Sequence, residues 1–124
     1  MQHTEFVEAK VAAVLTHAMN HGLVLVHERD GTIDGGFAGL LVERWYSTDR
    51  LFTDLALFVA PTARGGLAAA RLVRAAIAWC RAHGLAAGDI QFGISTGVHA
   101  EQTGALYERL GFERIGGLYG LKEF

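Results

Sequence analysis

Polar and apolar positions along this chain switch between a helical and an extended period several times. Thr4 is placed to cap a helix whose first turn carries Glu5 and Glu8, and Val7, Val11, Val14, Leu15 and Ala18 then recur on one face until Gly22. Residues 23–26 read as a buried strand. After Arg29-Asp30-Gly31 a second strand runs to Glu43 through Gly35, Gly36 and Gly39, and the two predict a hairpin. In residues 51–59 Leu51, Thr53, Leu55, Leu57 and Val59 share one face, while Phe52, Asp54, Ala56 and Phe58 share the other; apolar residues on both predict a central strand. Pro61 stops that strand. Ala63-Arg64-Gly65-Gly66 then opens a helix over 67–83, with Leu72, Val73, Ala76, Ile77 and Cys80 as its apolar stripe before Gly84. Residues 90–95 read as a fourth strand. A helix follows over 99–110, with Thr103, Leu106 and Leu110 inward and Gly111 as its stop, and residues 112–115 with 118–122 form a last hairpin across Gly116-Gly117. The order α-β-β-β-α-β-α-β-β predicts an α/β (α+β) architecture, a mixed sheet with helices on its faces.

A length of 124 residues leaves room for one core, so residues 1–124 read as a single domain. With 51% hydrophobic residues, 19% charged and a mean hydropathy of +0.24, the chain is too apolar for disorder and its apolar runs too interrupted for a membrane span. The 11 Lys and Arg against 13 Asp and Glu give a net charge of −2, which removes any bulk attraction to nucleic acid or anionic lipid. An anion must therefore be held locally. Cys80 is the single cysteine, which excludes an internal disulfide, and its place on an apolar stripe reads as core. Together with an N-terminus that lacks secretory or transit design, it points to the cytoplasm. His3, His17, His21, His27, His83 and His99 show no HxH or HExxH spacing, and no metal site is expected.

The glycine turn before the second helix carries the most chemistry. Backbone N–H groups at a helix start lack intrahelical partners, and the helix dipole adds about half a positive charge there, so such a turn suits phosphate. Gly65 and Gly66 permit close backbone approach, the Leu-Ala-Ala-Ala run at 67–70 keeps bulky side chains from blocking the site, and Arg64 adds a charged donor. The pattern is neither GxxxxGK[ST] nor GxGxxG, which disfavours P-loop and dinucleotide folds. A helix start at a tight packing site is the plainer alternative.

Val59-Ala60-Pro61-Thr62-Ala63-Arg64-Gly65-Gly66-Leu67-Ala68 resembles the acetyl-CoA-binding motif of the GNAT N-acetyltransferases, in which a strand ending V-x-P leads into [QR]-x-x-G-x-[GA] and a helix. Leu106-Tyr107-Glu108-Arg109-Leu110-Gly111-Phe112 is similar to that family's LYEKLGF segment, and the two occur in the family's order across residues 23–124. The motif's Gln/Arg position is Ala63 here, with Arg64 one place on, and the chain reads as a shortened member that begins directly with one helix.

The resemblance implies a GNAT-like, mostly antiparallel twisted sheet whose two central strands, 51–59 and 90–95, splay apart to admit the pantetheine arm of acetyl-CoA. Leu57, Phe58 and Val59 would supply backbone partners, and Arg64, Gly65, Gly66, Leu67, Ala68, Ala69 and Ala70 would hold the diphosphate, with a hydroxyl of Ser95 or Thr96 replacing an asparagine of many relatives. A backbone N–H near Phe58 or Val59 would stabilise the oxyanion, a role worth about 3–4 kcal/mol per donor. The implied reaction is direct attack of a primary amine, on a small molecule or a peptide, in a ternary complex. Tyr107 matches the tyrosine that protonates the departing thiolate; the plainer reading makes it an interfacial aromatic beside Leu106 and Leu110.

Asp54, a carboxylate in mid-strand, is the first candidate base, although pairing with an arginine explains it equally. Glu43, His27 and His99 follow it, and a water chain needs none of them. Trp45 and Tyr46, in the loop before the third strand, either read the acceptor or seal a rim or subunit contact, and Phe112, Tyr119 and Phe124 on the closing hairpin are candidate homodimer residues. A non-catalytic acyl-CoA-binding or oligomerising module is the competing reading.

Overall fold

Asp30 and Gly31 both take left-handed backbone conformations, φ 51° and 79°, which is what a two-residue turn needs to join strands of right-handed twist. They connect β1 (Gly22–Arg29) and β2 (Thr32–Glu43) in the expected antiparallel hairpin. The computed structural model describes residues 7–64, 66–93 and 100–122. Within them a four-stranded sheet has the order β1-β2-β3-β4, where β3 is Arg50–Val59 and β4 is Ile90–Gln91. β3 lies antiparallel to β2 and parallel to β4, so the sheet is mixed and β3 internal, as expected.

Two irregularities shape this sheet. Between β1 and β2, Glu28 pairs Ile33 but His27 pairs Gly35, so Asp34 is an extra residue. Between β2 and β3, Ala38 pairs Ala56 but Gly39 pairs Asp54, so Leu55 is extra. Cross-strand partners share a face. Asp54 therefore lies on the same side as Leu57, opposite Gly39 and Phe37, and the uninterrupted alternation expected for residues 51–59, with Asp54 and Leu57 on opposite faces, is corrected by one bulge.

On that side a Cβ on Gly39 would collide with the ring of Phe52, so only glycine lets this ring lie flat on β2. Phe52 stacks on Phe37 with ring centroids 6.1 Å apart and meets Trp79 at 5.5 Å and Phe92 at 6.1 Å. Trp79 belongs to α2 (Ala68–Ala82), which turns the predicted stripe of Leu72, Val73, Ala76 and Cys80 into this core. Gly84, at φ 81°, follows the helix end.

α1 (Glu8–His21) packs against β1 and β2. Only Ala18 of its expected apolar face is buried; Val7, Val11, Val14 and Leu15 are exposed, and Thr4 lies outside the described residues.

The chain divides into two compact units, Met1–Phe92 and Gly93–Phe124. In the second, α3 (Ala100–Arg109) is followed by Gly111 at φ 100°, and Tyr107 is buried against Phe112 with ring centroids 5.4 Å apart. The closing hairpin is not formed: residues 112–122 contain no strand, and Ile115, Leu118, Tyr119 and Leu121 stand in solvent. Without burial, a segment holding Gly116, Gly117 and Gly120 has little to offset the entropy of ordering. Of the fourth strand expected over 90–95, the described part is Ile90–Gln91.

Candidate functional site

The two edges of β3 are chemically different. The N–H of Ala60 donates to the carbonyl of Asp34 at 2.7 Å, and in an antiparallel ladder this fixes the direction of every amide before it. Phe58 turns its N–H and C=O toward Gly36 of β2, whereas Leu57 and Val59 turn theirs to the opposite edge, the side on which β4 lies. Among the described residues β4 is registered at two positions only, Phe52 with Ile90 and Thr53 with Gln91. Of the three residues expected to offer backbone groups to a ligand, Leu57 and Val59 thus face the outer edge. Phe58 does not.

Past Val59 the chain makes one 3-10 turn (Pro61–Ala63) and enters α2. No side chain caps this helix, and its first backbone bond runs from the N–H of Arg71 to Leu67 at 2.9 Å. The N–H groups of Ala68, Ala69 and Ala70 therefore have no intrahelical partner. Arg64 and Leu67 are exposed beside them, Ala63 is buried, and Gly65 lies outside the described residues. The donor set suits a diphosphate: uncapped amides, positive dipole, small side chains and one guanidinium.

A cavity of about 390 Å³ extends from Gly66 and Ala68 across to β1. At its wall His27 Nδ1 meets the carboxylate of Asp34 at 2.5 Å, and the Asp34 residue is only 8% exposed. Asp34 was not legible as a site residue: equal spacing from the Asp30-Gly31 turn would set it opposite His27, but the register pairs His27 with Gly35 and leaves Asp34 as the extra residue.

Asp54 is half-buried and opposes Gly39. Glu43 is exposed at the end of β2, while Ser95, Thr96 and His99 lie outside the described residues. Tyr107 is buried in the second unit. Burial pushes the Cys80 thiol from its ordinary 9.0 up to about 11, which suits a core residue rather than a nucleophile.

The loop holding Trp45 and Tyr46 is internally bonded. Arg44 N–H donates to the Asp49 carbonyl at 3.0 Å, and the Arg44 guanidinium reaches Asp89 at 2.8 Å, a bond that raises its already high pKa. Both aromatic rings nevertheless stay in solvent, in a T-shaped pair 5.3 Å apart. Among the described residues no group of three His, Cys, Asp or Glu is placed to hold a metal, and no helix is long and apolar enough to cross a membrane.

Comparison with known proteins places the chain by family and fold. The acetyltransferase (GNAT) domain matches residues 20–114, across both units. An aminoglycoside acetyltransferase from an uncultured soil metagenomic sample has a similar structure, with a TM-score of 0.70 at 20% identity over 97% of this chain and 77% of that one. For AAC(6')-Iy in complex with a CoA-containing bisubstrate analogue the TM-score is 0.75 at 16% identity, over 95% and 81% of the two chains. An acetyltransferase of Trypanosoma brucei gives 0.70 at 18%, over 97% and 82%. At such identities the likeness is one of fold. No curated protein matches the sequence.

Proposed function

The chain belongs to the GNAT acetyltransferases, and from that premise we propose that it transfers the acetyl group of acetyl-CoA to a primary amine of a small acceptor by direct attack in a ternary complex. One observation carries the reading: the outward amides of Leu57 and Val59 lead, in chain order, to the uncapped first turn of α2. Acetyl-CoA supplies an activated acyl carbon. In this reading Leu57 and Val59 pair with its pantetheine arm, as a strand would, and Arg64 with the amides of Ala68, Ala69 and Ala70 holds its diphosphate, while the Gly66 N–H is taken by the carbonyl of Ala63. As the neutral amine adds to the thioester carbonyl, an outward amide of β3 holds the oxyanion. Tyr107 gives a proton to the thiolate when the C–S bond breaks. Asp54, or water, takes the proton released by the nitrogen.

The free, buried thiol of Cys80 agrees with a place in the cytoplasm. Aminoglycosides, the substrates named for two of the similar structures, head the acceptors to assay. With a panel of aminoglycosides, polyamines and peptides, we expect acetyl-CoA-dependent thiol release with at least one amine, and a fall in kcat of about a hundredfold in Tyr107→Phe. Tight acetyl-CoA binding with no reactive amine favours the second reading, a non-catalytic acyl-CoA-binding module. The observation on its side is Ala63, small and buried where the family motif has Gln or Arg.

A further inference from the structure

We infer that the outer edge of β1 is a contact between two copies of this chain, paired antiparallel about a two-fold axis through Leu25. The inference does not depend on the acetyl-CoA reading. β1 ends the sheet, and among the described residues no strand pairs with its outer side. The ladder decides which groups are left over there. Ala60 gives its N–H to Asp34 and Phe58 faces Gly36, so Gly35 and Phe37 turn the other way, toward His27 and Leu25 of β1. Val24 and Val26 therefore turn their N–H and C=O outward. Monomeric proteins usually blunt such an edge with proline, lysine or a bulge. From Gly22 to Val26 this edge has none of these, and Val26 is 59% exposed.

The strand is complementary to itself. An axis through Leu25 sets Val24 opposite Val26 of the second copy and Val26 opposite its Val24, each pair exchanging both backbone bonds and matching one β-branched side chain with another. An axis through Val24 would set Val26 against Gly22, and one through Val26 would set Val24 against Glu28. At the axis the two Leu25 residues oppose each other. Leu25 shares a face with His27, the face on which Gly35 meets Leu72 of α2. There a cavity of about 210 Å³, lined by Leu25, Leu72 and Ala75 with His27 and Arg71 at its ends, lies open along the edge. Leu25 of the second copy fills it. A strand pair alone is small beside the roughly 800 Å² that a stable dimer covers on each copy. α1 packs on β1 and carries Val11, Val14, Leu15 and Met19 exposed, apolar surface that the same two-fold can cover. A second copy meets these demands by symmetry alone.

The test is sedimentation velocity on the full chain and on Val26→Lys and Val26→Pro, with circular dichroism as the check on folding. Val26 is exposed and its N–H lies outside the β1–β2 ladder, so both variants keep the fold. We expect a dimer in the unaltered chain and a dissociation constant raised at least about tenfold in each variant, as the loss of one inter-strand bond or a lysine at the seam implies. Mild oxidation then reads the register. Leu25→Cys should form a disulfide-linked dimer, because directly opposed residues at the axis stand about 4.5 Å apart, whereas Leu23→Cys faces His27 of the second copy and should not. Cys80 is buried and does not compete. A monomeric unaltered chain overturns the inference. So does a dimer that survives both Val26 variants, as one held through residues 112–122 or the Trp45 loop would, or one that cross-links through Leu23→Cys and not through Leu25→Cys.

Discussion

Phe52 and Phe58 stand on one strand, each laid over a glycine of β2, yet Phe52 is 0% exposed and Phe58 is 58% exposed. The difference comes from the extra residue between them: Phe52 opposes Leu41 and Phe58 opposes Gly36, so the two rings lie on opposite faces of the sheet, and Phe52 is on the face that α2 covers. At Phe52 the sheet is complete, with β2 on one side, β4 on the other, and Trp79 of α2 above. Leu55 then adds its extra residue, and past it the strand keeps β2 while the described β4 ends at Gln91. One half of β3 is thus built for the core, and the other presents apolar side chains and outward amides. Phe58, on the other face, adds little to the core.

This comparison can be broken at several points. The largest effect belongs to Phe52→Ala, which should destabilise the fold by about 3–5 kcal/mol in urea titration, whereas Phe58→Ala should change it by less than about 0.5 kcal/mol. Leu57→Pro and Val59→Pro remove amides that point away from β2. Each should lower kcat/KM for acetyl-CoA by about a hundredfold, the worth of one oxyanion-type donor, with the urea midpoint nearly kept; Phe58→Pro removes a ladder bond and should instead unfold the strand.

Cys80 supplies an effect of intermediate size. Its thiol ionises near 9.0 in the unfolded chain and at about 11 in the fold, so its contribution is full below pH 9 and is lost as the pH rises toward 11. The two-unit difference corresponds to about 2–3 kcal/mol, visible as a steeper loss of stability than in Cys80→Ala over that window. Smallest is the pair of glycines. Gly39→Ala presses on the buried Phe52 ring and should cost about 1–3 kcal/mol, while Gly36→Ala meets the Phe58 ring at 2.5 Å, which can swing into solvent at little cost.

Turn chemistry and periodicity made most of the first unit legible. Asp30-Gly31 announced the hairpin, Pro61 the strand end, and the stripe from Leu72 to Cys80 the buried face of α2. The bulge at Leu55 was hidden because the run is apolar on both faces, so no polar residue marks where the alternation slips. Residues 112–122 misled for the opposite reason. Gly116-Gly117 looks like a turn, but Ile115, Leu118, Tyr119 and Leu121 find no surface to cover them, and local turn preference alone does not make a hairpin. In the site, the glycine turn was read from the motif and the strand edge from the family resemblance, which did not separate Phe58, turned toward β2, from Leu57 and Val59. The His27–Asp34 contact needed the register across the hairpin, which one extra residue decides.

The central claim is that the outer amides of β3 beyond the bulge are reserved for acetyl-CoA. Backbone amide exchange, followed by NMR with and without saturating acetyl-CoA, tests it at single residues. Phe58 should be protected in the free protein, and Leu57 and Val59 should gain protection of about tenfold or more only when acetyl-CoA binds. Leu57 and Val59 already as protected as Phe58 before ligand is added, or unchanged at saturation, would contradict it.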